Sequence, residues 1–422
     1  MAFPRNSLRA FLGHVKPRLW HHVEAGLNIN IVVGNQSAAS VLYSYIRSIS
    51  PPQNAHSPVY VPLLNLQKSG LRLRPEFNVV CQHAGIEPSA LLTLEDLPET
   101  AIESEYVHWI LVDHNKPTGS LETIPSGKFE GVIDHHEDES FIPSSCKCEP
   151  RIVEKAGSCT SLVTRYFRSA WDAISNDDLS TGAAHGQGET AINDRAFTRG
   201  WDAQLAKMAL ASILIDTVDL TASGKVEAAD REAVDYLEAR INLSPLAAKS
   251  WDRKAFFSEV NGAKSNIGGL SFGEVLIKDY KHWTVGRSDI GIGSVVKDLG
   301  FLQHKAEQER GVRSDQGPSF PKALDFFMEK NQLHVFAVMT AFTEDNTFQR
   351  QLLLQADLKI EGMKEKIEGF SQKAARELNL EVLKLDCFQA SVSDNIWRKA
   401  WSQKDLSKSR KKVAPMLRAA ME

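Results

Sequence analysis

Asp134-His135-His136 closes the apolar run Gly131-Val132-Ile133, and Asp113-His114-Asn115 closes a similar run, Trp109-Ile110-Leu111-Val112. Each reads as a strand end that delivers a carboxylate and an imidazole to one place. In an open parallel sheet the carboxyl ends of the strands line the crevice where ligands bind, so acid and imidazole repeated there suit a divalent-metal site that handles phosphate. A third apolar run, residues 209–215, ends in Asp216 and reads as a third such ending. Taken singly, any of these could be a helix-capping Asp or a satisfied core His. Their repetition favours the metal reading.

The elements that must position these groups alternate. Strands are expected at 29–33, 59–63, 109–112 and 131–133, with helices at 40–46 and 158–168. Such alternation implies a mostly parallel sheet covered on both faces. Ala156-Gly157-Ser158-Cys159-Thr160-Ser161 opens the second of these helices, and its amides either hold a phosphate or simply cap the helix. Between 176 and 198 periodicity is lost among small polar residues, which reads as a mobile surface insertion. Near Asn242-Leu243-Ser244-Pro245 the chain changes character, and a second domain of mixed helices and strands follows, with a strand at 333–339. Ile290-Gly291-Ile292-Gly293 lacks the third glycine of a dinucleotide fingerprint. It reads instead as a strand passing close to another backbone, with Ser294 opening a helix.

At 422 residues, 42% hydrophobic and 24% charged, the chain is sized for two ordinary soluble domains. No apolar stretch approaches the roughly 18 to 20 residues of a membrane helix. A net charge of -4 argues against a nucleic-acid coat, yet residues 397–418 carry many cations against the single acid Asp405 and could funnel an anionic substrate. The five cysteines form an odd set without an obvious secretory leader, so reduced thiols are expected rather than a disulfide framework. Cys146-Lys147-Cys148 has no matching second pair for a zinc site. Arg5, Arg9, Lys16 and Arg18 precede the first acid, Glu24, as in a mitochondrial leader, but Leu8, Phe11, Leu12, Val15 and Leu19 recur at helical spacing and suit a packed first helix. A cytoplasmic protein is expected, with a mitochondrial pool compatible with that leader-like composition.

Further motifs extend the pattern: Gly34-Asn35 after the first strand, Ile213-Leu214-Ile215-Asp216-Thr217, Lys278-Asp279-Tyr280-Lys281, residues 290–295, and Ser409-Arg410-Lys411-Lys412-Val413-Ala414-Pro415. The ordered set resembles the DHH phosphoesterase superfamily over nearly the whole chain. Within it the best fit is the fungal exopolyphosphatases, close to the prune proteins and the manganese-dependent family II inorganic pyrophosphatases. The resemblance implies an N-terminal parallel-sheet α/β DHH domain over residues 1–242. It also implies a smaller C-terminal α/β DHH-associated, substrate-binding domain over 246–422, with the active site in the cleft between them. Single-strand nucleases of the superfamily are disfavoured, because their Gly-Gly-Gly-His-like motif is absent.

One motif departs from the family. There the first strand leads into a turn of the Ser-Ala-Asp-Leu-Asp-Ser type whose two aspartates bind one metal each; here Gly34-Asn35-Gln36-Ser37-Ala38 runs directly into Ala39-Ser40-Val41. Both flanks match, so a short deletion is the simplest account. By resemblance, Asp113 would bridge two Mn²⁺ or Mg²⁺ ions, His135 and Asp216 would complete one, and Asn35 would sit at the other. Asp134 would orient His135, His136 would donate to the substrate phosphate, and Lys281, Arg410 and Lys411 would hold the phosphate chain.

The expected activity is release of orthophosphate from the end of linear polyphosphate, impaired by the lost Asp-x-Asp. Inorganic pyrophosphatase or prune-like phosphodiesterase activity comes second, although Asn35 stands where such pyrophosphatases carry His. A non-catalytic polyphosphate-binding protein is the alternative of a different class. Oligomeric state is not legible in the sequence.

Overall fold

The computed structural model of the chain describes residues 5–143, 148–185, 189–310, 320–345, 347–389 and 395–422, of which 177–185, 189–196 and 310 by backbone alone. The chain forms two compact units, Met1–Lys264 and Ser265–Glu422. Among the described residues no helix is long and apolar enough to cross a membrane.

The first unit is built on six strands: β1 (Ile29–Gly34), β2 (Tyr60–Leu64), β3 (Leu92–Thr93), β4 (Val107–Val112), β5 (Phe129–Asp134) and β6 (Arg151–Val153). They pair in the order β3-β2-β1-β4-β5-β6, and every pairing is parallel. β1 is buried along its whole length, as expected of a central strand covered on both faces. Its helices include α1 (Leu8–Ala25), α2 (Ser37–Ile49), α3 (Cys159–His185), α4 (Glu189–Thr217), α5 (Ala228–Asn242) and α6 (Arg253–Ser265). α1 starts on Ser7, whose Oγ accepts from the Ala10 amide, and places Leu8, Phe11, Leu12, Val15 and Leu19 in the core, so the helical spacing seen in the sequence is used for packing.

Three expectations are corrected here. Residues 209–215 are the last turns of α4, not a strand, and Asp216 therefore ends a helix. A continuous apolar run lacks the period that tells a buried strand from a buried helix. The stretch read as an irregular insertion is helical on both sides, because α3 continues to His185 and α4 begins at Glu189; residues 186–188 lie outside the described residues. Beyond the turn at 242–245, α6 puts Phe256 and Val260 into the core of the first unit. Cys81, Cys159 and Cys387 are free thiols, whereas Cys148 is disulfide-bonded, against the expectation of reduced thiols throughout.

The second unit carries a mostly antiparallel sheet of β7 (Tyr280–Val285), β8 (Ser288–Val295), β9 (Val335–Thr340), β10 (Phe342–Glu344), β11 (Thr347–Asp357), β12 (Leu380–Val382) and β13 (Ile396–Gln403). The order is β12-β13-β11-β9-β8-β7, β10 pairs with β11, and β8 with β9 is the parallel pair. α7 (Phe272–Ile277), α8 (Leu299–Arg310), α9 (Phe320–Lys330), α10 (Met363–Glu377) and α11 (Arg410–Met421) complete it. Alternate strand residues face two cores: Val335, Ala337 and Met339 join α10 and α11, while Phe336 and Val338 join α7, α8 and α9. Gly293 sits where an added Cβ would lie 2.9 Å from the Leu276 carbonyl oxygen, so the close backbone approach read from this segment is real. Ser294 belongs to β8 rather than to a helix.

Candidate metal and phosphate site

The strand order reverses between β1 and β4, the switch point at which parallel sheets open a crevice at their carboxyl ends. Asn35 and Gln36 follow β1 there, and Asp113 follows β4. Asp113 turns the chain with a φ of 65°, a left-handed conformation that aspartate tolerates better than most side chains. Its amide still donates to the Ile133 carbonyl at 3.0 Å, which locks the end of β4 to β5.

On β5, Asp134 is fully buried and saturated with donors. It accepts from Asn115 Nδ2 at 2.6 Å, from the His135 amide at 2.7 Å and from His136 Nδ1 at 2.8 Å. Burial works against its charged form, but the bonds from His136, Asn115 and the His135 amide outweigh it and hold the carboxyl below the usual aspartate range. Asn115 also donates to the Glu137 carbonyl and accepts from the Glu139 amide, so the Asp-His-Asn motif clamps the loop after β5. His114 is buried and donates from Nδ1 to the Val112 carbonyl; burial pushes its pKa down.

The partner expected for the His135 ring belongs instead to its neighbour. His135 Nδ1 donates to the Ala156 carbonyl at 2.9 Å, and Asp134 orients the His136 ring. With that tautomer, His135 Nε2 points a lone pair at Asp113 Oδ1, 3.1 Å away. Two lone pairs facing one another call for a cation between them or a proton on the ring. The separation also matches the edge of an octahedron around a small divalent ion, about 3 Å for ligands at about 2.1 Å. Ligand atoms of Asp113, Asp134, His135 and His136 all lie within 4.8 Å of one another. Asp134 and His136 are already bonded to each other, so Asp113 and His135 are the pair that fits one divalent cation.

Asp216 is not in that group. Its Oδ2 accepts from Gln36 Nε2 at 2.6 Å at the end of α4. It remains electrostatically close: burial first, then the charges of Asp113, Asp134 and Asp216, push the Cys159 thiol well above its ordinary pKa. Asn35 is exposed, with Nδ2 at 3.5 Å from the Asp113 carbonyl and Oδ1 accepting from Asn65 Nδ2 at 2.9 Å. That amide oxygen is already engaged, and no carboxylate follows it. The first-strand edge therefore does not fit a second ion.

The amides opening α3 serve protein groups. Asp230 accepts from the Gly157 and Ser158 amides and from Ser161 Oγ, and Gln36 Oε1 accepts from the Thr160 amide. Capping, not phosphate binding, is the role they fill. Asp230 was missed in the sequence, although Glu227 and Asp230 form a capping box whose spacing was visible. Gln36 was passed over as a remnant of the broken motif.

Within the second unit, Lys281 lies on β7 and Arg410-Lys411 open α11. The Arg410 fork donates to the Asp279 carbonyl at 2.6 Å and carboxylate at 2.9 Å, which ties these cations to one corner. His334 accepts from the Asp289 amide and serves the sheet. Asn346 lies outside the described residues. A second cluster, His56, His108 and Glu130, sits toward the amino ends of the strands. Its two rings stack face to face at 7°, so their in-plane lone pairs do not converge on one ion.

A parallel sheet with acid and imidazole at its switch point is an arrangement that suits a divalent cation acting on phosphate. Residues 258–420 match the DHHA2 domain. The chain is 28% identical over 404 residues to a Schizosaccharomyces pombe protein provisionally named an exopolyphosphatase, covering 94% of this chain and 91% of that one. It is 27% identical over 240 residues to the manganese-dependent inorganic pyrophosphatase of Methanocaldococcus jannaschii, covering 56% of this chain and 64% of that one. The crystal structure of a Methanococcus jannaschii protein provisionally classed as a family II inorganic pyrophosphatase shares the fold. Its TM-score is 0.53 at 20% identity, over 93% of this chain and 99% of that one.

Proposed function

We propose that this chain is a metal-dependent phosphoanhydride hydrolase of the exopolyphosphatase type, releasing orthophosphate from the end of linear polyphosphate, with one of the family's two cation sites incomplete. The observation that carries this is the pairing of Asp113 Oδ1 with His135 Nε2 at 3.1 Å, at the switch point of the parallel sheet. Similarity to an exopolyphosphatase and to a pyrophosphatase supports the substrate class. Asp113 and His135 would hold a divalent ion, with Asp216 as a third ligand where it is released from Gln36. Mn²⁺ or Mg²⁺ suits carboxylate oxygens with few imidazoles, and manganese is the ion named for the pyrophosphatase relative. Such an ion, when bound, supplies charge neutralisation on phosphoryl oxygens and a lowered pKa for the attacking water.

The chain's own residues do the rest. Ala156 fixes the His135 tautomer through Nδ1. Asp134 holds His136 by Nδ1, so Nε2 is the atom offered to substrate, and with a proton there it donates to a phosphate oxygen. Arg410 grips phosphate oxygens through its planar fork once Asp279 is exchanged, while Lys281 and Lys411 act as point charges. Functionally, residues 1–242 carry the metal chemistry and 246–422 the phosphate-chain binding.

The test is orthophosphate release from polyphosphate and from pyrophosphate, with and without Mn²⁺, in the chain and in Asp113→Ala. Metal- and Asp113-dependent release from polyphosphate is expected. Polyphosphate binding with no turnover under any metal would instead establish the non-catalytic binder.

A further inference from the structure

The side chain of Gln36 does not cap the helix it precedes. It crosses to partners 122 to 180 residues away in sequence. Nε2 donates to Asp216 Oδ2 at 2.6 Å and to Ser158 Oγ at 2.9 Å. Oε1 accepts from the Thr160 amide at 2.8 Å and from Thr160 Oγ1. The orientation is not arbitrary, because a backbone N–H can only donate: Oε1 must face Thr160, and Nε2 must therefore face Asp216. Both hydrogens and both lone pairs of the amide are used. Ser158 and Thr160 are fully buried, so the anchor is rigid.

Gln36 reaches Asp216 because only Asn35 and Gln36 separate the end of β1 at Gly34 from the start of α2 at Ser37. Ser40 on the first turn packs so closely on Gly34 that a Cβ there would lie 2.2 Å from its Oγ. The short connection therefore draws the position-36 side chain across the top of the sheet to the junction of α3 and α4.

We infer that the Gln36 amide is a built-in neutral occupant of the Asp216 carboxylate, and that the residue at position 36 sets how many divalent ions this chain holds. The inference rests on reading Asp113, His135 and Asp216 as cation ligands. An amide hydrogen satisfies Oδ2 without adding charge, so a cation reaches that oxygen only by displacing a fully bonded side chain. Gln36→Ala frees Asp216. Gln36→Glu keeps an acceptor for Thr160 and sets a second carboxylate against the first. That pair repels without metal and attracts a cation by about tenfold or more, the usual effect of one opposite charge at close range.

The experiment is Mn²⁺ titration of the full chain by calorimetry and by electron paramagnetic resonance of free Mn²⁺, with thermal unfolding in parallel. Wild type is expected to bind in an Asp113-dependent way. Gln36→Ala should tighten binding several-fold. Gln36→Glu should bind an additional equivalent, melt lower without Mn²⁺ and regain the loss with it. Thr160→Val, which loosens the Gln36 anchor without touching Asp216, should move affinity in the same direction as Gln36→Ala and covers the case in which a position-36 variant does not fold. Asp113-dependent Mn²⁺ binding of unchanged number and affinity in the folded variants would overturn the Gln36 inference alone. Binding indifferent to Asp113→Ala would overturn the metal-site reading beneath it.

Discussion

Inserting Asp-Leu-Asp-Ser-Leu between Ala38 and Ala39 should raise turnover by ~10² or more, the size of effect seen when one essential electrostatic element is gained or lost. The first-strand edge now offers Asn35, whose oxygen is taken by Asn65, and a share of Asp113, while the opposite side keeps Asp113, His135 and Asp216. One carboxylate per ion is what the insert supplies. Its placement follows from helix geometry. Residues Ser37 to Ile46 of α2 are all buried, so the helix beyond Ala39 is held by the core. Five added residues wound into the helix would rotate what precedes them by about 140°. Ser37 and Ala38 must then leave the helix, the new aspartates lie in the turn above β1, and Gln36 is pulled from Asp216. A ~10² gain corresponds to about 2.7 kcal/mol of barrier. The assay is orthophosphate release from saturating polyphosphate in Mn²⁺ for both forms, with Asp113→Ala in each background. Equal, Asp113-dependent turnover by the present chain and the repaired one would show that the lost carboxylates are dispensable, and the impaired-enzyme reasoning would fall.

The Arg410→Ala/Lys411→Ala double variant should bind polyphosphate more weakly and with a shallower salt dependence, measured by titration at several ionic strengths; unchanged affinity and salt slope would remove these cations from the binding face. Arg240→Ala should destabilise the chain by about 1.5–3 kcal/mol, because it removes a buried guanidinium that bonds Asp202, Asp172 and Ser175, while Arg5 at 2.8 Å still balances the Asp202 charge. A fall in the urea midpoint at constant m-value checks this. Asp96 is held below the usual aspartate range: burial opposes its charge, but Lys16 at 2.6 Å and the Thr93 amide outweigh it. A depressed carboxylate pKa stabilises the fold above the unfolded value and loses that contribution as pH falls through the folded one. The stability gap between wild type and Asp96→Asn should therefore be open near neutral pH and close in acid; a gap that widened in acid would reverse the assignment.

The sequence by itself determined the parts that are local. Asp113 and Asp134-His135-His136 announced themselves because each follows a short apolar strand directly, and a strand end fixes the direction of the next residue or two. The alternation that builds a parallel sheet was equally visible, as was the apolar face of α1, since a helix period is written into consecutive residues. Residues 209–215 misled because a run buried on all sides carries no period, and only the packing of α4 beside α3 and α5 decided for helix. Tertiary structure alone decided the pairings. His135 takes its tautomer from Ala156 and His136 its orientation from Asp134, a choice between adjacent rings that spacing cannot make. Asp216 meets Gln36 across 180 residues of chain, and Thr160 meets it across 124. A hydrogen bond depends on ångström-scale placement of two side chains, and when their separation in sequence is that long, only the completed fold brings them within reach.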